Sequence, residues 1–314
     1  MQKTTYNGCT LYTFTRREFE AGESEFFANV RVIGERVYVF VGDMLPGTKR
    51  SRGLSGWYRI GKLISLQDSS PKLKKNGKIK NTLSSIHYGA PARVAGLGIN
   101  QCSHATSCAD TCLNTAGRGR TAPVALARIA RTRFEVFAPG LFWKLYRDEL
   151  QTIQRTAERA GAVHYHRPDG TTDRLPKALR DIVKEFSATE FYGYTANPTR
   201  DKVAAQHRLS NYNVVFSRKE TERNHQHCTE WWHRGGSISA VVSADAKAQF
   251  VGTNRHGVRW VDYDTHDLRH PDHDGAQCVG LLTPKGPAKQ DETGFVLRSV
   301  DDVRQFAAIL TGGA

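Results

Sequence analysis

EFYGYTANPTRDKVAAQHRLSNYNVVFS, residues 190–217, sets a strand, a helix and a second strand in series. Glu190–Thr195 and Tyr212–Ser217 are the predicted strands and Arg200–Leu209 the predicted helix. A helical crossover of this length returns the chain parallel to where it started, because a tight hairpin would not need it. The alternation continues on both sides. Upstream, Val163–His166 predicts a strand and Pro176–Phe186 a helix with proline in the permitted first turn. Downstream, Glu220–His233 predicts a helix stopped by Gly235-Gly236, and Ser237–Val242 a further strand. Earlier still, residues 123–137 read as a helix with Pro123 in its first turn. Residues 141–160, LFWKLYRDELQTIQRTAERA, have apolar residues at helical spacing and end at Gly161. The expected class is α/β, an open or partial (β/α) barrel-like domain over residues 88–314, since repeated units of this kind build a parallel sheet.

Residues 1–87 have a different character, that of a β-rich basic region. Phe27–Val32 and Val37–Val41 alternate as strands do, with Gly34-Glu35 in the expected hairpin turn. Two basic runs follow, Lys49-Arg50-Ser51-Arg52 and Lys72–Lys80, the second containing Lys74 and Lys75. Trp57 and Tyr58 lie between them. Cations interleaved with aromatic rings suit phosphate contact and base stacking, and a solvated lysine-rich loop is the alternative for the second run. The chain's net charge of +14 points the same way, to a polyanionic partner such as nucleic acid.

The 314 residues are 39% hydrophobic and 10% aromatic, which excludes a disordered chain. No apolar run reaches the roughly 18–20 residues of a membrane span. The start, MQKTTYNGCTLYTFTRREFE, lacks the apolar core of a secretory signal, so a reducing cytoplasm is expected. There, clustered cysteines are metal ligands or catalytic groups rather than disulfides. Cys102, Cys108 and Cys112 form such a cluster, while Cys9, Cys228 and Cys278 are scattered and read as buried small side chains. Cys108 and Cys112, four apart, share a face if they lie on one helical turn. Thiolates select zinc, iron–sulfur clusters or copper(I). Zinc sites favour four ligands and Cys-x-x-Cys pairs, which are missing here, and His104 is the local fourth donor. Three cysteines leave one iron of a four-iron cluster open to another ligand. The glycine-rich turn Asn114-Thr115-Ala116-Gly117-Arg118-Gly119-Arg120 beside them offers N–H groups and guanidinium charge to a phosphate or carboxylate, or is an ordinary solvent-facing turn.

Ala90–Gly96, the three cysteines and Leu113–Gly119 together resemble the phage "gene product 88" family. So do Tyr192–Thr195, Asn211-Tyr212 leading to Phe216-Ser217, Asp262–Arg269, Val279–Leu281 and Lys285-Gly286. The resemblance covers roughly residues 88–298 and implies a tailed-phage gene, a bacterial host cytoplasm and a three-cysteine site of iron–sulfur type. The layout is also similar to radical S-adenosylmethionine enzymes, although Cys-x5-Cys-x3-Cys departs from their Cys-x3-Cys-x2-Cys. S-adenosylmethionine and a divalent cation are further candidate cofactors, and zinc is the alternative to the cluster.

Two more constellations carry chemistry. His164 and His166 share one face of a predicted strand, where they could ligate a metal, move protons or form a structural pair. Asp262, Asp264 and Asp267, with Arg269, Asp272, His273 and Asp274, could bind a divalent cation or pair with arginines. Cys278 is the long-range fourth cysteine, and the His225, His227, Cys228 and His233 tract reads as a polar helix surface. The leading expectation is an iron–sulfur phage enzyme acting on nucleic acid or nucleotides, with radical or redox chemistry at an open iron. A metal-dependent nuclease with a structural cluster is one alternative. A non-catalytic DNA- or RNA-binding protein stapled by its metal is the other. Oligomeric state is not written in the sequence.

Overall fold

The structure is a computed structural model describing residues 2–6, 9–13, 30–33, 36–42, 56–70 and 72–312. In chain order its first strands are β1 (Gln2–Tyr6), β2 (Cys9–Thr13), β3 (Val30–Ile33), β4 (Arg36–Phe40), β5 (Trp57–Arg59), β6 (Ile64–Leu66) and β7 (Thr82–His87). Then come α1 (Ala122–Phe137), α2 (Pro139–Arg159), β8 (Val163–Arg167), α3 (Lys177–Glu185), β9 (Thr189–Thr195), α4 (Arg200–Gln206), β10 (Tyr212–Ser217) and α5 (Glu222–His233). The chain finishes through β11 (Ile238–Val242), α6 (Ala244–Phe250), β12 (Asn254–Arg255), β13 (Val258–Asp262), α7 (Pro271–Asp274), β14 (Val279–Leu282), β15 (Val296–Leu297) and α8 (Val300–Thr311).

Ten strands make one open sheet in the order β12-β13-β14-β11-β10-β9-β8-β7-β6, with β15 beside β11. Pairing is parallel from β7 to β11 and on to β14, β13 and β15; only β6 and β12 are antiparallel additions. From β7 to β11 each crossover steps the same way, and right-handed crossovers then put every helix on the same face. That face buries Phe134, Phe142, Tyr146, Ile182 and Phe191 in one cluster, and Phe216, Trp231, Ile238, Ala240, Val242, Phe250 and Phe306 in another. The alternation Ile238, Ala240, Val242 on β11 is the period-two face this requires. The opposite face carries Tyr165, Tyr192, Tyr194 and Val215, packed on Leu268, Tyr263 and Cys278 rather than on helices. An outer helical face and an inner loop-covered face make a barrel-like sheet that does not close.

Most predicted elements are present with ends shifted by up to three residues. Pro176 is the residue before α3 rather than in its first turn, and Arg200–Leu209 stops at Gln206. β3 and β4 pair antiparallel as expected; Phe27–Asn29 and Gly34-Glu35 lie outside the described residues. β4 and β5 continue this small sheet, and Val37, Val39 and Val41 enter the core beneath α1 and α2. β6 and β7 precede residue 88 yet belong to the large sheet. Among the described residues no helix is long and apolar enough to cross a membrane.

Candidate functional site

The cysteine segment lies across the carboxyl ends of the parallel strands. Cys102 bridges to Asp173, after β8, and its Sγ lies 4.0 Å from the Thr171 carbonyl. Glu220, after β10, accepts from Ser107 N at 3.1 Å and from its hydroxyl at 2.8 Å. Cys108 packs against the cluster of Ala288, Phe295 and Val296, as does Val241 of β11, and Val296 opens β15. A Cβ on Gly286, after β14, would come within 2.9 Å of Ala116. This edge is where open α/β sheets take their ligands, because the loops that vary without disturbing the sheet converge there.

Locally the segment is not one helical turn. Ser107–Ala109 and Leu113–Thr115 are separate 3-10 turns, and Cys112 between them is extended at φ −59°, ψ 137°. The shared helical face expected for Cys108 and Cys112 is therefore corrected. The three cysteines are half-buried thiols, and each is near enough to the next to resist its ionisation: Cys112 opposes Cys102, and Cys108 opposes Cys112. Burial is the larger effect, pushing the Cys102 thiol up to about 12 and Cys112 up as well. At Cys112 the Asn114 N–H, donated to Sγ at 3.4 Å, works against burial, as do Arg128 and Lys219. Both cations are buried, and neither pairs with a carboxylate among the described residues. Arg128 donates to the Asn114 side-chain carbonyl at 2.5 Å and lies 5.0 Å from the Tyr88 ring centroid; the Lys219 amine lies 5.1 Å from that of Phe295. Among the described residues no three His, Cys, Asp or Glu side chains are set around one metal position.

The glycine-rich turn divides in two. Asn114 and Gly119 are buried, since a Cβ on Gly119 would lie 2.3 Å from the Asn114 carbonyl oxygen. Gly117, at φ +54°, and Arg118 face solvent, and the Thr115 side chain lies outside the described part. His104 is exposed and bonds Ser103. Cys228 and Cys278 are fully buried, Cys228 beside Asn224 and Cys278 beside Tyr263 and Ser237. The side chain of Cys9 is outside the described part.

His164 and His166 are on the helix-covered face, not in the cysteine site. His164 Nε2 and His166 Nδ1 both meet Ser85 Oγ, at 2.8 and 2.7 Å. The remaining nitrogens meet Thr189 and Tyr146. All four ring nitrogens are occupied, and burial pushes His164 down to about 4 and His166 well below its ordinary value. In this arrangement neither ring has a nitrogen left for a metal or substrate.

The aspartates separate into two networks. Asp262 and Asp264 share Lys247 at 2.6 and 2.8 Å, and Asp264 adds Lys285 at 2.6 Å and the Thr283 N–H at 2.7 Å. Burial opposes ionisation of Asp264, yet these partners outweigh it and hold its carboxyl below the usual range. Asp267 belongs with Arg167, Lys72 and Tyr192 on the inner face. Each of the three carboxylates is paired with protein cations.

Of the basic residues expected at a nucleic-acid surface, Lys49, Arg50 and Arg52 lie outside the described residues. Trp57 is 3% exposed and packs edge-on against Phe40, so it offers no stacking surface; Tyr58 is half-buried. Lys74 and Lys75 are exposed, and Lys75 donates to the Asp264 carbonyl. Sequence reasoning missed Arg128, Lys219 and Arg167, whose only signal was a cation at a strand end or within an otherwise apolar helix face, and it took Lys72 only as the start of the basic run Lys72–Lys80.

Comparison with curated proteins and with solved structures gives no match. The family model for gene product 88 matches residues 64–299, most of the chain, starting at β6 and including all three cysteines, and this protein therefore belongs to that phage family.

Proposed function

We propose that this is an iron–sulfur protein of the phage-infected bacterial cytoplasm, with Cys102, Cys108 and Cys112 as the cluster ligands and a nucleotide or nucleic acid as substrate. The observation that carries it is the pair of buried cations beside Cys112. Buried charge without a counter-charge is costly, and among the described residues Arg128 and Lys219 have none, so they call for anionic sulfur at this spot. The donor set fits: three soft thiols on one short loop, free of disulfides, at the ligand-binding edge of the sheet. A four-iron cluster bound there would supply one-electron chemistry and an iron without a cysteine. The chain's own part is to hold the loop through Glu220 and Asp173, to place cations against the thiolates, and to present Asn114–Arg120 alongside.

Anaerobic purification followed by iron and acid-labile sulfide analysis tests this. About four irons and four sulfides per chain are expected, with loss of both in each Cys→Ser variant. One zinc and no sulfide would overturn it. Reductive cleavage of S-adenosylmethionine by the loaded protein then separates radical from simple redox chemistry.

A further inference from the structure

The inner face of the sheet holds a charge group that the cysteine site does not use. Arg167, the last residue of β8, donates through Nη1 to both oxygens of Asp267, at 2.8 and 3.0 Å. The Tyr192 hydroxyl donates to the same carboxylate at 3.2 Å, and Lys72 Nζ lies 3.1 Å from it. Arg269, wholly buried, pairs with Asp274 at 3.0 Å and lies 3.7 Å from the Tyr263 ring centroid. Three cations therefore meet two carboxylates, and each carboxylate already has an arginine. Lys72 is the surplus. Its side chain is 32% exposed, against 6% for Arg167 and 5% for Asp267, so it alone of the three reaches solvent. Tyr194 lies beside both, its ring centroid 4.7 Å from Arg167 and 5.9 Å from Lys72. A mostly desolvated group with excess positive charge is stabilised by an anion that replaces the lost water.

We propose that Lys72, Arg167 and Tyr194 form a binding site for the phosphate group of a phosphate-bearing ligand. Arg167 is immobilised by Asp267 and by the Asp169 and Gly170 carbonyls, and sets the local field. Lys72, on a flexible stem, moves its ammonium from Asp267 to a phosphate oxygen. Residues 169–173 lead from Arg167 directly to the contacts of Cys102, and Tyr88, beneath Arg128, packs against Gly170. The phosphate site thus adjoins the loop carrying the thiols. That the ligand is the substrate rests on the iron–sulfur reading; that it binds does not.

Calorimetric titration of the anaerobically purified protein with inorganic phosphate, adenosine 5′-monophosphate and adenosine tests the proposal. Phosphate and the monophosphate bind and adenosine does not. Lys72→Met raises Kd about tenfold or more, the loss of one charge-assisted contact. Lys72→Arg recovers most of it, and Lys177→Met, at an exposed lysine of α3, changes nothing. A 5′-phosphorylated oligonucleotide beside the mononucleotide distinguishes a nucleic-acid end from a free nucleotide as the source. Equal losses in Lys72→Met and Lys177→Met, or no binding of phosphate, overturn the site. Iron and sulfide measured on the same samples keep the two readings apart: phosphate binding without a cluster sinks only the cluster, and a full cluster without phosphate binding sinks only this site.

Discussion

At the scale of single residues, one hydrogen-bond direction orders a buried chain. Gln154 donates its amide N–H to Glu158, which turns its carbonyl to accept the Thr189 hydroxyl proton at 3.1 Å. Thr189 must then accept from His164 Nδ1–H, so His164 Nε2 accepts from Ser85. Ser85 in turn accepts from His166 Nδ1–H, and His166 Nε2 accepts from Tyr146. Both histidines are predicted to be neutral Nδ1–H tautomers, which nitrogen chemical shifts in a labelled sample would show. Ser85→Ala strands one acceptor and one donor in the core, a cost of about 2–4 kcal/mol by urea unfolding. The same burial sets a pH dependence. His164 titrates near 4 when folded and near 6.5 when unfolded, so its contribution is fully present above pH 6.5 and is lost as pH falls from there to about 4. The expected loss is about 3 kcal/mol over that window, and His164→Gln would flatten that part of a stability–pH profile.

At the scale of elements, the loops are held by side chains that sequence periodicity does not register. Glu220 fastens the cysteine loop to the end of β10 by two hydrogen bonds to Ser107. Glu220→Ala should cost about 1–3 kcal/mol and raise the rate at which iodoacetamide alkylates Cys108; an unchanged rate would show the loop held elsewhere. Gly119 has to be glycine because the Asn114 backbone lies where its Cβ would be, so Gly119→Ala displaces Asn114 from Arg128. The helices were legible because their apolar spacing and stops are local: Gly161 after α2, and Gly235 after α5. The break between the 3-10 turn that holds Cys108 and the one that follows Cys112 was not, because four residues of spacing fit a helical turn equally well.

At the scale of the molecule, the sheet's two faces have different tasks. Helices seal one, and the other is closed by residues 72–79 and 263–274, tied through Asp267 to β8 and β9. Asp267→Asn leaves Arg167 buried without its carboxylate and is expected to cost about 3–5 kcal/mol, seen as a lower melting temperature. A loss no larger than that of an ordinary surface substitution would mean the group is not holding the inner face together. The family match beginning at β6 agrees with this architecture, since β6 and β7 complete the same sheet.

The α/β class, the parallel strands, the cysteine cluster and the family were set by local patterns: periodicity, stops, spacing and motif. These survive in one dimension because each involves residues within a few turns of one another. The tertiary structure alone decided which ionisable groups meet. It seated the histidine pair in the core, neutralised Asp262 and Asp264 with lysines, gave Cys112 two distant buried cations, and joined Lys72 to Asp267 and Arg167 across the fold. The physical reason is that electrostatic partners are chosen by proximity in space and by exclusion of water, and neither quantity is carried by sequence separation.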